Sequence, residues 1–158
     1  MQTFDHLLSK YGESHQNKLN KRIHWVCIPA ILFSLVGLLM HIPIPETVPL
    51  NFYFNWAGLI LVLSLLYYVR LSYGMFVGFS IISFSLLYAN WLLIQYCKVH
   101  GFNAIWILLV LFTFAWIGQF IGHKIEGKKP SFFEDLQFLL IGPAWLLHFI
   151  YKKLSIPY

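Results

Sequence analysis

The sequence predicts an all-α integral membrane protein: a bundle of four transmembrane helices plus a short re-entrant or interfacial C-terminal helix. Three observations lead there. Of the 158 residues, 59% are hydrophobic and only 11% are charged, whereas soluble globular domains carry about 25% charged residues. Mean hydropathy is +0.68. The apolar residues gather in runs whose length approaches the roughly 20 residues that cross a bilayer core. This composition excludes a soluble enzyme, a disordered chain, a coiled coil and a secreted disulfide scaffold, and it predicts a single membrane domain over 1–158.

In chain order, residues 1–24 are polar, lack the apolar core of a signal peptide, and read as a cytoplasmic segment. The first span is predicted over 25–40, short and interrupted early by Pro29. The second covers 52–69, the third 75–96 and the fourth 104–122. A fifth apolar run, 136–150, is shorter and broken by Gly142-Pro143. A run of that length reads as re-entrant or interfacial.

Charge orients the runs. Lys10, Lys18, Lys21 and Arg22 precede the first, Arg70 follows the second, Lys124, Lys128 and Lys129 follow the fourth, and Lys152 and Lys153 end the chain. Take a cytoplasmic N-terminus, four crossings and a fifth run that dips in and returns. Of the 11 basic residues, Lys98 alone then faces away from the cytoplasm. This satisfies the positive-inside rule, and a fifth crossing would break it. Basic residues placed this way mark membrane flanks, and no nucleic acid partner is expected. The terse loops and the lack of a targeting extension point to a bacterial inner membrane with both termini cytoplasmic.

Gly74/Gly78 and Gly118/Gly122 have GxxxG spacing and predict close helix approach. Trp56, Tyr67, Tyr68, Tyr96 and Trp106 stand near span ends and read as interfacial anchors. Cys27 and Cys97 belong to no CxxC or Cys/His cluster and read as small apolar filler.

Polar groups are expensive near lipid, so their positions carry information. His6 reads as solvated, and His41 and His100 as interfacial on the far side. His15, His24, His123 and His148 fall on the cytoplasmic side or in the segment entered from it. The two ends of the chain therefore bring imidazoles to one membrane face.

The first cluster runs from Ser14 to Pro29. On a helix, Asn17, Asn20 and His24 share one stripe while His15 points about 180° away. His15 and His24 can meet one metal only if the helix starts after His15, with Asn17 or Ser14 as its N-cap. The second cluster places Trp116, Gln119, His123 and Glu126 on one face at the end of the fourth span. Two or three histidines and one glutamate suit a 2-His-1-carboxylate or three-His site, for which iron(II) is the usual metal. Zinc takes similar ligands. Asn17, Asn20 and Gln119 are expected to orient the imidazoles from behind. No HxxxH, HxxHH, HExxH, GxSxG or Walker motif occurs.

At these residues the chain resembles the membrane 2-hydroxy fatty acid dioxygenases, whose eukaryotic members work in phytosphingosine breakdown. The resemblance rests on H-x-N-x-x-N-x-x-I-H-x-x-x-x-P at His15 to Pro29, and on W-x-x-Q-F-x-G-H followed by Glu126 and Pro130 at Trp116 to Pro130. A late Gly142-Pro143 is the third mark. It implies an iron(II)-dependent α-oxidation in which a 2-hydroxy long-chain fatty acid and O2 give the one-carbon-shorter fatty acid and CO2. By motif position it implies His15, His24 and His123 as iron ligands. Glu126 is the further ligand candidate, one residue closer to His123 than in the eukaryotic pattern. His148 matches no family motif and is a secondary candidate. Two other readings use the same residues: a non-enzymatic lipid-binding or transport bundle, separated by metal content, and a zinc-dependent membrane hydrolase, separated by oxygen dependence.

Overall fold

The structure, a computed structural model, describes residues 4–43, 54–129 and 137–158. These residues form six helices and no strand: α1 (Phe4–Glu13), α2 (Lys18–Met40), α3 (Trp56–Leu71), α4 (Tyr73–Val99), α5 (Ala104–Glu126) and α6 (Phe138–Leu154). The all-α class is as expected. Three helices, α2, α4 and α5, are long and apolar enough to cross a membrane. The expected four-span count is not reached on length. The second expected span, 52–69, is α3, and its 16 residues extend about 24 Å, short of a core of about 30 Å. Positions 52 and 53 lie outside the described residues.

The helix that carries the first expected span is longer than that span. α2 begins seven residues before 25, at Lys18, and runs through Pro29. Proline there removes one backbone donor but leaves the helix continuous over 23 residues. Residues 4–13, expected to be merely polar, form α1 because Phe4, Leu7, Leu8 and Tyr11 fall at i, i+3, i+4, i+7 and make one apolar stripe. Leu7, Leu8 and Tyr11 are buried against Phe138, Ile141 and Trp145 of α6. The two helices run antiparallel: Tyr11 meets Phe138, and Phe4 meets Tyr158, each at 6.2 Å between ring centroids.

The fifth expected run is a continuous 17-residue helix despite Pro143, with residues 141 to 147 all buried. Its expected first residues at 136 lie outside the described residues. The Tyr68 hydroxyl donates to the Leu140 carbonyl (2.7 Å), and the Tyr151 hydroxyl donates to the Gly74 carbonyl (2.8 Å). These bonds tie α6 to the α3–α4 turn. Tyr68 is accordingly not an interfacial anchor. It is 3% exposed and stacks on Phe79, because its hydroxyl finds a protein partner.

α1 and α6 thus cap the end of the bundle where α2 begins, α5 ends and α3 turns into α4. Polarity within the bundle is turned inward. Ser34, Ser83 and Asn90 are buried, while Ile81, Phe84, Trp106, Val110 and Phe114 are exposed. Asn90 donates across to the Phe33 carbonyl (3.0 Å) as well as to Leu86 (2.9 Å). Apolar outer faces with interhelical polar links suit helices solvated by lipid.

Candidate metal centre

Asn17 decides where α2 starts. Its side-chain oxygen accepts from the backbone N–H of Leu19 (2.8 Å) and of Asn20 (3.4 Å). That is an N-cap, and it satisfies helix-terminal donors that have no intrahelical partner. The chain therefore leaves helical geometry between α1 and α2. The break frees His15, on the 14–17 link, to face the same side as His24 on the second turn of α2. His123 arrives from the last turns of α5.

The three imidazoles converge. One ligand nitrogen from each of His15, His24 and His123 lies within 4.8 Å of the others. All three residues are buried, at 0%, 1% and 6% exposure. The rings stand edge to face, with centroids 4.3 Å (His15–His24), 5.0 Å (His15–His123) and 4.9 Å (His24–His123) apart. The Nδ1 of His15 lies 2.7 Å from the Tyr11 carbonyl, and that of His24 lies 2.9 Å from the Asn20 carbonyl. A carbonyl can only accept, so both Nδ1 atoms carry the proton and both Nε2 lone pairs are free to bind a cation.

The donor set fits a metal ion. The Nε2 atoms of His24 and His123 are 3.3 Å apart. Metal–nitrogen bonds of about 2.0–2.1 Å in tetrahedral geometry place two ligand nitrogens about 3.3 Å apart. The Nε2 of His15 is buried with no hydrogen-bond partner among the described residues. Leaving such an atom unsatisfied costs about 1–3 kcal/mol, a cost that a coordinated ion removes.

Burial pushes the His15 imidazole from its ordinary 6.5 down to about 4, against the smaller upward pull of the Tyr11 carbonyl. It is therefore neutral, as a ligand must be, at neutral pH. In the metal-free protein the unfolded chain takes up this proton first, below about pH 6.5, while the folded chain resists until about pH 4. Stability is then lost as pH falls through that window, by about 3 kcal/mol in all. Thermal melts of metal-free protein in detergent are expected to show a lower midpoint at pH 5 than at pH 7.5, and a smaller difference in His15→Ala. Equal midpoints in the parent protein would contradict the neutral, buried imidazole.

Glu126 takes a place other than the one expected of it. Its Oε1 accepts from the Gln16 N–H (2.6 Å), and its Oε2 accepts from the Asn17 N–H (2.9 Å) and the Asn20 side-chain amide (2.9 Å). Both oxygens thus clamp the end of α5 to the link that carries His15. Lys128 adds a bond to the Glu13 carbonyl (2.9 Å). Asn20 serves His24 through its backbone carbonyl, while its side chain serves Glu126. Asn17 is a cap. Gln119 is buried but makes no hydrogen bond to another described residue, imidazoles included. His148 lies outside the cluster, with its Nδ1 on the Tyr158 hydroxyl. Pro130 lies outside the described residues.

The sequence reading missed two neighbours. Tyr11 stacks on His15 with centroids 4.2 Å apart, and Trp145 lies 5.3 Å away. The apolar stripe of α1 was the available signal for Tyr11. Among the described residues, openings lie on two sides of the cluster. An open polar cleft of about 420 Å³ reaches His15 past Glu13, Lys21 and His148. A crevice of about 70 Å³ between α2, α5 and α6 reaches His123.

Comparison with known proteins agrees with the motif resemblance. The family model described as 2-hydroxy-palmitic acid dioxygenase Mpo1-like matches residues 1–154. The chain is 31% identical over 149 residues to 2-hydroxy-palmitic acid dioxygenase MPO1 of Saccharomyces cerevisiae, covering 92% of this chain and 78% of the yeast protein. No solved structure matches. A match along nearly the whole chain, through every motif that builds the histidine cluster, establishes that this protein belongs to the Mpo1-like family.

Proposed function

We propose that this chain is an iron(II)-dependent dioxygenase that oxidises 2-hydroxy long-chain fatty acids. In the reaction R–CH(OH)–COOH + O2 → R–COOH + CO2 + H2O the C1–C2 bond breaks and the acid becomes one carbon shorter. The single observation that carries the reading is the buried cluster of His15, His24 and His123 with its ligand nitrogens within 4.8 Å. Family membership and the yeast relative's name support the substrate class.

His15, His24 and His123 would hold the ion. A bound iron(II) with open coordination positions supplies redox chemistry toward dioxygen. The chain's own part is positional. The Tyr11 and Asn20 carbonyls fix the tautomers and ring planes of two ligands. Tyr11 and Trp145 pack on His15 from α1 and α6 and hold its ring in place. Glu126 holds the link in register with α5. The apolar helices and the basic residues at the α1–α6 end support a membrane protein with this site, and both termini, on the cytoplasmic side.

Anaerobically purified protein is expected to carry about one iron per chain and to consume O2 with 2-hydroxypalmitate, releasing CO2 and the fifteen-carbon acid. Turnover that proceeds without oxygen, or full activity in protein stripped of metal, would refute the proposal. Glu126→Gln separates clamp from ligand. As a clamp, Glu126 acts through the orientation of others, so iron affinity is expected to fall about 10- to 100-fold, with one ion still bound at saturation. Failure to bind iron at any concentration in a metal titration would make Glu126 a direct ligand.

A further inference from the structure

Resting on the 2-hydroxy acid reading, we propose that the α2–α5–α6 crevice is the substrate-binding site. In it the Gln119 amide hydrogen-bonds the 2-hydroxy-carboxylate head, and the acyl tail leaves past Ile31, Leu32 and Leu139 toward lipid.

Gln119 is the first argument. It is 6% exposed and makes no hydrogen bond to another described residue. Its amide therefore lines the crevice with donors and acceptor that no described residue uses. The imidazoles of His15 and His24 already have backbone carbonyls behind them, so Gln119 is not needed to orient those ligands. It stands one turn before His123, and both line the same crevice. Its two N–H donors match a carboxylate and its oxygen matches a hydroxyl. The candidate metal ligand and an amide able to read a polar head group thus face one space.

The crevice itself is the second argument. Most of its remaining lining is apolar, as an acyl chain requires. At about 70 Å³ it admits the head and the first few carbons, and the rest of the tail must lie outside. Leu139 at its edge is 43% exposed, and two of its walls are the apolar helices α2 and α5. A lipid-phase acid can therefore reach His123 from the side of the bundle without crossing the polar cleft at His15. An apolar groove farther along α5, at Trp106, Val110 and Phe114, offers a tail surface only. It lies about 20 Å along the helix from His123.

The test uses the full chain in lipid nanodiscs and a 2-hydroxy fatty acid carrying a mid-chain diazirine, with adducts mapped by mass spectrometry. Adducts are expected on Ile31, Leu32 or Leu139 and are expected to disappear on competition with 2-hydroxypalmitate. In Gln119→Met, which keeps the side-chain shape but removes the donors, competition is expected to need roughly tenfold or more 2-hydroxypalmitate, with bound iron unchanged. In Leu139→Trp, at an exposed position, long-chain acids are expected to lose adducts and turnover while 2-hydroxyoctanoate retains turnover. Adducts at Trp106–Phe114, or adducts that do not compete, overturn the crevice, as does a Gln119→Met variant that competes like the parent. Oxygen uptake by the parent protein separates the two levels. Uptake with misplaced adducts sinks the crevice alone, whereas no uptake with any 2-hydroxy acid sinks the enzymatic reading beneath it.

Discussion

His123→Ala is expected to bind no iron above background and to consume oxygen at the rate of metal-free protein. The imidazole is the sole cluster member supplied by α5, and its Nε2 lies 3.3 Å from that of His24. Its removal leaves two nitrogens from the first part of the chain, one ligand short of the proposed three-histidine site. The fold is expected to survive. The Nδ1 of His123 is already buried without a hydrogen-bond partner among the described residues, so alanine removes an unsatisfied polar atom along with some packing and the 3.3 Å bond to the His24 Nε2. In metal-free protein these effects oppose each other, and the melting midpoint is expected to move by only a few degrees. Metal analysis together with a melt therefore distinguishes a ligand from a structural core histidine. A core histidine would give the reverse pattern, with iron retained and the midpoint lowered sharply.

Gly122→Ala is expected to damage both the fold and the site through one contact. A Cβ at this position would lie 2.4 Å from the Asn20 side-chain oxygen and 3.5 Å from the His24 ring, and the first distance is too short to persist. Asn20 is fully buried, and its amide is held by Glu126 at 2.9 Å. Relief requires either that Asn20 rotate off Glu126, which loosens the clamp on the His15 link, or that α2 and α5 separate, which draws His24 away from His123. Overpacking of this kind costs about 1–3 kcal/mol. The melting midpoint of the metal-free protein is expected to fall, and iron affinity is expected to fall with it. Gly118→Ala, whose Cβ would meet the Cys27 sulfur at 2.6 Å, is expected to lower stability with less effect on iron, because that contact is a turn farther from the imidazoles. Equal iron affinity in Gly122→Ala and the parent would show that close approach at this point does not align the site.

Some of this was legible along the chain. A run of apolar residues identifies a membrane helix because hydropathy is a local, additive property. Asn17 was legible as a cap because a short polar side chain before a helix satisfies donors only a few residues away, and that cap is what turns His15 toward His24. The GxxxG pairs were legible as close contacts for the same reason: small residues one turn apart share a face wherever the helix packs.

Other features depended on which faces meet. Glu126 shares a stripe with His123, and one-dimensional spacing could not say that its oxygens would reach the 16–17 amides and the Asn20 side chain. The stripe of α1 lies in a segment that reads as polar by composition, and nothing along the chain said that it would fold onto α6 and cover His15 with Tyr11 and Trp145. Gln119 was expected behind an imidazole and instead faces a crevice whose third wall, α6, lies beyond a break in the described chain. Each residue along a helix turns its neighbour by about 100°, so a side chain's partner depends on how the helices rotate and slide against one another. Contacts between distant segments, such as Gly122 on Asn20 and Tyr11 on Trp145, set that rotation. Sequence carried the helices and the ligand types, and packing chose which nitrogens and oxygens share a point in space.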